Sequence, residues 1–366
     1  MSELVLYRKY RPRDFAEVVG QEHVVGAVKN SFKQGRVAHA YLFSGPRGIG
    51  KTTVARLIAK SLNCEVAERP CNRCAFCVEF NEGRSMNLIE IDAASNRGID
   101  EIRQLRDGVR FVPARGRYKC YVIDEAHQLT KEAFNALLKT LEEPPAHAVF
   151  ILATTEFEKI PATVVSRTQH YDFRRPSAVQ IAGRLGELAR REGMALSEDG
   201  ARLIAFAAEG SMRDAESILG QIMAVADKKV TRQEVETILG LPRREAVKQL
   251  FGSIARRDAA GALTLIQELH EGGYDLAALM KLLARYLRNA LFLKKDPSLW
   301  RFVEEELLPD ECECIAGHLG AFRDETLVRG LAVVTENLQQ FKKTPIPQLP
   351  LELTVLELIA DAGERP

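Results

Sequence analysis

The stretch that decides the fold is "AHAYLFSGPRGIGKTTVARLIAKSLN", residues 38–63. Its first part is apolar without alternation, as in a strand buried on both faces. Its last part carries apolar residues at helical spacing. Between them "GPRGIGKT" (45–52) fits G-x-x-x-x-G-K-[ST]. A strand, a glycine-rich turn and a helix in that order form a phosphate cradle. Glycines let backbone N–H groups face the phosphate oxygens, and the helix N-terminus adds partial positive charge. The expected nucleotide contacts are Gly45, Gly48, Ile49, Gly50, Lys51, Thr52 and Thr53. Lys51 would meet the β- and γ-phosphates of ATP, and Thr52 would hold Mg²⁺.

Downstream, "YVIDEAH" (121–127) is an apolar strand running into two acids. Asp124 is placed to coordinate Mg²⁺, and Glu125 to orient and polarise an attacking water. An acidic strand end is ordinary by itself; the glycine loop upstream is what gives it meaning. "FILATTEFEKIP" (150–161) brings Thr154 and Thr155 to the next strand end, where one hydroxyl would sense the γ-phosphate. Further strands read at "MNLIEIDA" (86–93) and "HYDFR" (170–174), with helices at "DEIRQLRDGVRF" (100–111) and "KEAFNALLKTLEE" (131–143). This alternation predicts an α/β domain: a parallel sheet with helices on both faces. After Pro176 only helical patterns read. Domain boundaries are expected at 1–175, 176–241 and 242–366, the last two all-helical.

Four of the seven cysteines stand in "CEVAERPCNRCAFC", at Cys64, Cys71, Cys74 and Cys77. The spacing C-x₆-C-x₂-C-x₂-C suits tetrahedral Zn²⁺ held by four thiolates. With all four positions filled by protein the ion would be structural, one per chain, stapling a segment too short and polar to form its own core. The rival reading is a redox dithiol at Cys74 and Cys77; four cysteines in so short a span favour zinc. Cys120 reads as a buried, inert strand residue, and Cys312 and Cys314 as incidental.

The chain has 366 residues, enough for two or three domains, and a formal net charge of +1, so nucleic-acid contact would need a local patch. Neither a signal-peptide core nor an 18-residue apolar run reads in the sequence, which makes a cytoplasmic location without membrane contact the expectation.

Beyond these motifs, "YRKYRPRDFAEVVGQ", "DAAS", "ILATTE", "SRTQHYDF" and "EGSMRDAES" join the phosphate loop, the cysteine insertion and "YVIDEAHQLTKEAFNALLKTLEEPP" in a pattern that resembles the gamma/tau family of bacterial DNA polymerase III clamp-loader ATPases, within the AAA+ class. The likeness is dense over 4–240 and thinner over the helical remainder, where "QLPLELTVLELI" is similar to the family's closing helix. The resemblance implies an ATP-binding AAA+ domain, a helical lid and a helical collar. It implies a ring with delta, delta prime and further copies of the chain. It also implies a sliding clamp, primed template DNA without sequence specificity, and a polymerase core reached through a longer form. On matching positions, Arg167 resembles an arginine finger acting in trans on a neighbour's ATP. Arg213 resembles the lid arginine on the chain's own phosphate, and Thr155 (or Thr154) the polar sensor. Tyr7, Arg8 and Pro12 resemble the arm near the adenine. Thr168 stands where the family commonly has cysteine, and the first cysteine gap is two residues shorter than in some members.

In "GIDEIRQLRDGVRF" the residues Ile102, Leu105 and Val109 share one helical stripe, with Arg103, Arg106 and Arg110 beside it and Arg97 just before. A basic stripe suits a phosphate backbone; a solvated face diluted by Asp100, Glu101 and Asp107 is an equal reading. The resemblance turns this helix toward duplex DNA, with Arg97 and Arg103 as the contacts. A scaffold with a merely structural nucleotide site is disfavoured because Lys51, Thr52, Asp124 and Glu125 are all present. A branch-migration motor is disfavoured by the cysteine insertion and the helical collar. No separate carboxylate cluster for nucleotidyl transfer reads, so primer extension by this chain alone is not expected.

Overall fold

Every second residue of the central strands faces one side of a sheet, and both sides are covered. The computed structural model describes residues 5–226, 228–307 and 309–361. In it β1 (Ala40–Ser44), β2 (Leu88–Asp92), β3 (Lys119–Asp124), β4 (Ala148–Thr154) and β5 (Gln169–Asp172) form one sheet in the order β2-β3-β4-β1-β5. All of its pairings are parallel. Tyr41, Phe43, Val122 and Ile151 face one core, with Val54, Ile58 and Leu62. Leu42, Ile123, Phe150 and Leu152 face the other, with Ile102, Leu105 and Leu137. That double burial is why these strands read as continuous apolar runs.

The helices of this unit are α1 (Leu6–Lys9), α2 (Glu22–Lys33), α3 (Lys51–Leu62), α4 (Ala75–Asn81), α5 (Ile99–Val109), α6 (Lys131–Glu142), α7 (Ala162–Val165), α8 (Ala178–Arg191), α9 (Glu198–Ala207) and α10 (Met212–Val225). The stripe expected on α5 is the buried one: Ile102, Leu105 and Val109. Ser177 caps α8 in a reciprocal box with Gln180, which explains a helix start directly after Pro176. The arm is locked to the sheet by Gln21. Its side chain is fully buried, donates to the Arg174 carbonyl at 2.6 Å and accepts from the Arg174 N–H at 3.1 Å.

Within the cysteine segment α4 begins directly after Cys74 and carries Cys77 on its first turn. One sequence reading of the fold needs correction: strands do not end at Pro176, because β6 (Ala195–Leu196) and β7 (Lys229–Val230) pair in parallel. Two-residue bridges carry no periodicity to read.

The described residues divide into two compact units between Val230 and Thr231. The second holds α11 (Arg232–Ile238), α12 (Arg244–Arg256), α13 (Ala259–Glu271), α14 (Leu276–Lys295), α15 (Trp300–Glu306), α16 (Pro309–His318), α17 (Asp324–Leu338) and α18 (Leu349–Asp361). Phe251, Leu283, Tyr286, Leu287, Ile315 and Val355 are among its buried residues. The Tyr286 hydroxyl donates to Glu311 Oε1 at 3.1 Å inside it. No helix among the described residues is long and apolar enough to cross a membrane.

Candidate functional site

Parallel register brings the carboxyl ends of β1, β3 and β4 side by side, with Ser44 opposite Thr154 and Ile123 opposite Leu152. The glycine loop leaves β1 at this edge. Gly45 (φ +132°) and Gly48 (φ +77°) occupy backbone conformations that L side chains rarely adopt. A Cβ on Gly48 would lie 2.0 Å from Ser211 Oγ, so only glycine lets the loop meet the N-cap of α10. The contact is sealed by Arg213 N–H donating to the Gly48 carbonyl at 3.1 Å. Gly50 (φ +104°) is the N-cap of α3, and Lys51 opens that helix. The buried Lys51 ammonium donates to the carbonyls of Gly45 and Pro46, each at 2.6 Å. Burial holds its pKa below the ordinary lysine value, against the opposing pull of Glu125 and Asp124.

Thr52 Oγ1 donates to Asp124 Oδ2 at 2.8 Å, which brings the two expected Mg²⁺ ligands together. Glu125 sits in the left-handed region (φ +49°, ψ +45°), a costly position for a non-glycine residue that turns its carboxylate off the strand. Thr155 Oγ1 donates to Glu125 Oε2 at 2.9 Å. Thr154 is fully buried and lies 3.0 Å from His127 Nδ1. The two threonines thus part company: Thr155 meets the acid, and Thr154 supports a histidine the sequence reading passed over. His127 bridges the carboxylates, with Nδ1 3.5 Å from Glu125 Oε2 and Nε2 3.0 Å from Glu156 Oε1. "DEAH" held the only signal for it.

A cleft enclosing about 960 Å³, solvent at its mouth included, opens over this edge, a size that suits a small-molecule ligand. Gly48, Ile49, Gly50, Lys51, Thr52 and Thr53 line it, with Asp124, Glu125, Tyr7, Pro12 and Arg213. The Arg213 guanidinium stands 4.7 Å from the Tyr7 ring centre. Gly45 and Thr155 line the adjoining opening. Arg8 does not line the cleft; it faces a neighbouring basic recess with Arg13 and Arg56. Arg11 takes its place, with Val18, Val19, Arg184, Met212 and Glu216, none of which the sequence reading named. Arg167 also lies outside the chain's own cleft, donating to the Thr163 carbonyl at 2.8 Å and pairing with Glu142 at 2.8 Å. Arg97 bonds the Ala94 carbonyl at 2.9 Å, and Arg103, exposed, pairs with Asp100 at 3.2 Å.

The sulfurs of Cys64, Cys71, Cys74 and Cys77 all lie within 4.8 Å of one another. Cys71 and Cys77 are 3.9 Å apart, close to the roughly 3.8 Å that tetrahedral Zn–S bonds of about 2.3 Å require. Cys74 N–H donates to Cys71 Sγ at 3.3 Å, as a thiolate favours. The donor set fits a closed Cys₄ site, and it is the single such ligand group among the described residues. Cys120 is fully buried apart from it, with its thiol pushed up to about 12 by burial.

A five-stranded parallel sheet, a glycine loop feeding α3, acids ending β3 and an arginine on α10 together define a P-loop domain of the AAA+ class. Family models described as "DNA polymerase III, delta subunit", "DNA polymerase III clamp loader subunit, ATPase lid domain" and "DNA polymerase III subunits gamma and tau domain III" match residues 20–177, 180–228 and 230–364. The chain is 34% identical over 363 residues to DNA polymerase III subunit gamma of Buchnera aphidicola subsp. Schizaphis graminum, covering 99% of each. It is 40% identical over 360 residues to DNA polymerase III subunit tau of Bacillus subtilis, covering 98% of this chain and 63% of that protein. It thus spans just under two thirds of that tau subunit. Among solved structures, RuvB of Thermotoga maritima aligns with a TM-score of 0.49 at 19% identity, over 67% of this chain and 78% of its own. The chain belongs to the DNA polymerase III gamma/tau family.

Glu216, which lines the cleft, makes the stability of the fold depend on pH. Burial raises its carboxyl to about 7, with Arg184 Nε 3.7 Å away pulling the other way. Between about 4.5, the unperturbed value, and about 7 the folded chain keeps a proton that the unfolded chain has released. Stability is therefore highest below this window and falls as pH rises through it, by up to about 3 kcal/mol. Glu216→Gln is expected to flatten that fall, checked by urea midpoints of both proteins at pH 5 and pH 8.

Proposed function

We propose that this chain is the ATP-hydrolysing motor subunit of a bacterial replicative clamp loader, acting within the DNA polymerase III holoenzyme. The observation that carries this reading is the convergence of Lys51, Thr52, Asp124 and Glu125 on one cleft edge, with Thr155 bonded to Glu125 and Arg213 across from them. Phosphoryl transfer needs this kind of positioning and charge more than covalent help.

In this reading loop N–H groups and Lys51 hold the β- and γ-phosphates. Lys51 is already buried at the loop and exchanges carbonyl partners for phosphate oxygens. Thr52 and Asp124 would hold Mg²⁺, which when bound would supply positive charge to offset that developing on the phosphate oxygens. Glu125 orients a water toward the γ-phosphorus and accepts its proton, while Thr155 keeps that carboxylate aimed. Arg213 touches the chain's own ATP from α10. Arg167 acts in trans: it stands outside its own cleft, and a planar guanidinium suits a neighbour's phosphate. Tyr7, Pro12, Val18 and Val19 form the apolar and aromatic part of the wall, where the base would pack.

The functional division is proposed as 1–175 for ATP binding, 176–241 for the lid and 242–366 for the collar that joins subunits. The ring would contain delta, delta prime and further copies of this chain, with the polymerase core recruited through a longer form. ATP binding prepares the ring for the sliding clamp and primed DNA; hydrolysis releases the closed clamp. Arg97 and Arg103 would touch the DNA backbone, which permits loading without sequence preference. Zn²⁺ would be held by the four cysteines as a structural ion, lowering the cost of ordering the insertion.

Lys51→Ala is expected to abolish ATP binding, whereas Glu125→Gln preserves it and reduces turnover at least about a hundredfold. Calorimetry with steady-state hydrolysis tests both, and normal turnover by Glu125→Gln removes Glu125 from its role. Arg167→Ala is expected to leave ATP affinity of the isolated chain nearly intact and to eliminate DNA-stimulated hydrolysis in the assembled ring; a large affinity loss in the isolated chain would put Arg167 in its own site. Elemental analysis is expected to find one zinc per chain, lost in Cys71→Ser, and a metal-free wild type would return the dithiol reading.

A further inference from the structure

Lys60 is a cation that neither the phosphate loop nor the cysteine set accounts for. It lies on the last turn of α3 and is 2% exposed. Its ammonium donates to Asn72 Oδ1, to Asn81 Oδ1 at 2.6 Å and to the Arg13 carbonyl at 2.9 Å. Asn81 Nδ2 reaches the same Asn72 oxygen at 3.3 Å, closing a small network. Each part of that network stands beside a cysteine. Lys60 is one helical turn before Cys64, Asn72 directly follows Cys71, and Asn81 is one turn after Cys77. The remaining partner belongs to the arm: Arg13 follows Arg11 and Pro12, which line the nucleotide cleft. The helix that carries Lys60 begins at Lys51.

A buried ammonium whose acceptors are all neutral is costly without nearby negative charge. Four thiolates on a divalent ion leave roughly two negative charges, and Cys77 and Cys64 are among the groups whose charge acts on this ammonium, together with the Asp14 carboxylate. The network has a shape requirement as well: Asn72 is held at φ +59° so that its amide points back to α3.

We infer that Lys60 is a positioning residue that couples the metal module to the nucleotide cleft, using the charge of the loaded cysteine site to hold the arm against α3. This rests on the ATP reading above. Coupling of this kind is reciprocal: the factor by which the metal tightens nucleotide is the factor by which nucleotide tightens the metal.

The test uses the full chain loaded with zinc and a nonhydrolysable ATP analogue. Analogue affinity is measured by calorimetry before and after zinc removal, and zinc transfer to a chelating dye is timed with and without saturating analogue. For the wild type an effect of about tenfold is expected in both measurements. In Lys60→Met the factor falls toward one while the zinc-loaded variant still binds the analogue. Asn72→Gly, which suits the positive φ and removes only the amide, gives the same loss and keeps the test open if Lys60→Met folds poorly. The timing measurement starts from loaded protein and does not need a folded metal-free chain. A lysine that merely stabilised the fold would lower the denaturation midpoint and leave the coupling factor intact. An undiminished factor in both variants, or a factor of one in the wild type, overturns the inference and leaves the ATPase reading standing. No analogue binding by the zinc-loaded wild type overturns both.

Discussion

The level ending of β1, β3 and β4 is the constraint from which the site follows. Parallel pairing fixes which residues stand abreast, so the glycine loop, Asp124 and Thr154 emerge at one edge. A shift of one residue in β3 would turn Val122 and Ile123 to the wrong cores and move Asp124 away from Thr52. The apolar packing that fixes register therefore also sets the 2.8 Å contact between Thr52 and Asp124. Stability and site geometry share one cause.

This explains why so much was legible beforehand. Strands buried on both faces must be apolar throughout, and "AYLFS", "CYVI" and "AVFILA" could hardly be anything else. The loop was legible because its glycines meet geometric demands no other residue fits, as at Gly48 against Ser211. The part of the cleft wall supplied by Arg184 and Glu216 was not legible. The two reach it from α8 and α10, more than 120 residues beyond the loop, through a tertiary approach that no local spacing encodes. The arm was half legible: one turn of helix at Leu6–Lys9 aims Tyr7 at the cleft, turns Arg8 elsewhere and leaves Arg11 to line the wall.

Thr154 and Thr155 show where reading by residue type stops. As neighbouring hydroxyls they are chemically alike. Strand alternation separates them, because Thr154 is in phase with Phe150 and Leu152, on the α5 and α6 face, and is sealed in. Thr155 lies just past the last β4 residue and is free to turn to Glu125. The same burial leaves Thr154 to fix His127, so the carboxylate of Glu125 is held from two sides by groups that differ in depth.

The cleft mixes charges finely for a chain that is nearly neutral overall. Arg11, Arg47, Lys51, Arg184 and Arg213 line it together with Glu17, Asp124, Glu125 and Glu216. Lys51 is satisfied by loop carbonyls, Arg184 by the Tyr10 carbonyl and Glu187, and Asp124 by Thr52. Each of these charged groups is therefore held in place by contacts that are separately replaceable. A polyphosphate with a divalent ion offers oxygens to the cations and positive charge to the acids. It can take over the contacts of Lys51, Thr52 and Asp124 together without either sign of buried charge being left alone. That exchange engages residues of β3 and α3 in a single event, while Arg213, anchored to Gly48 through its backbone, brings α10 into it as well. In the proposed reading, nucleotide occupancy would thereby reach α3, the helix that also ends beside the cysteine module.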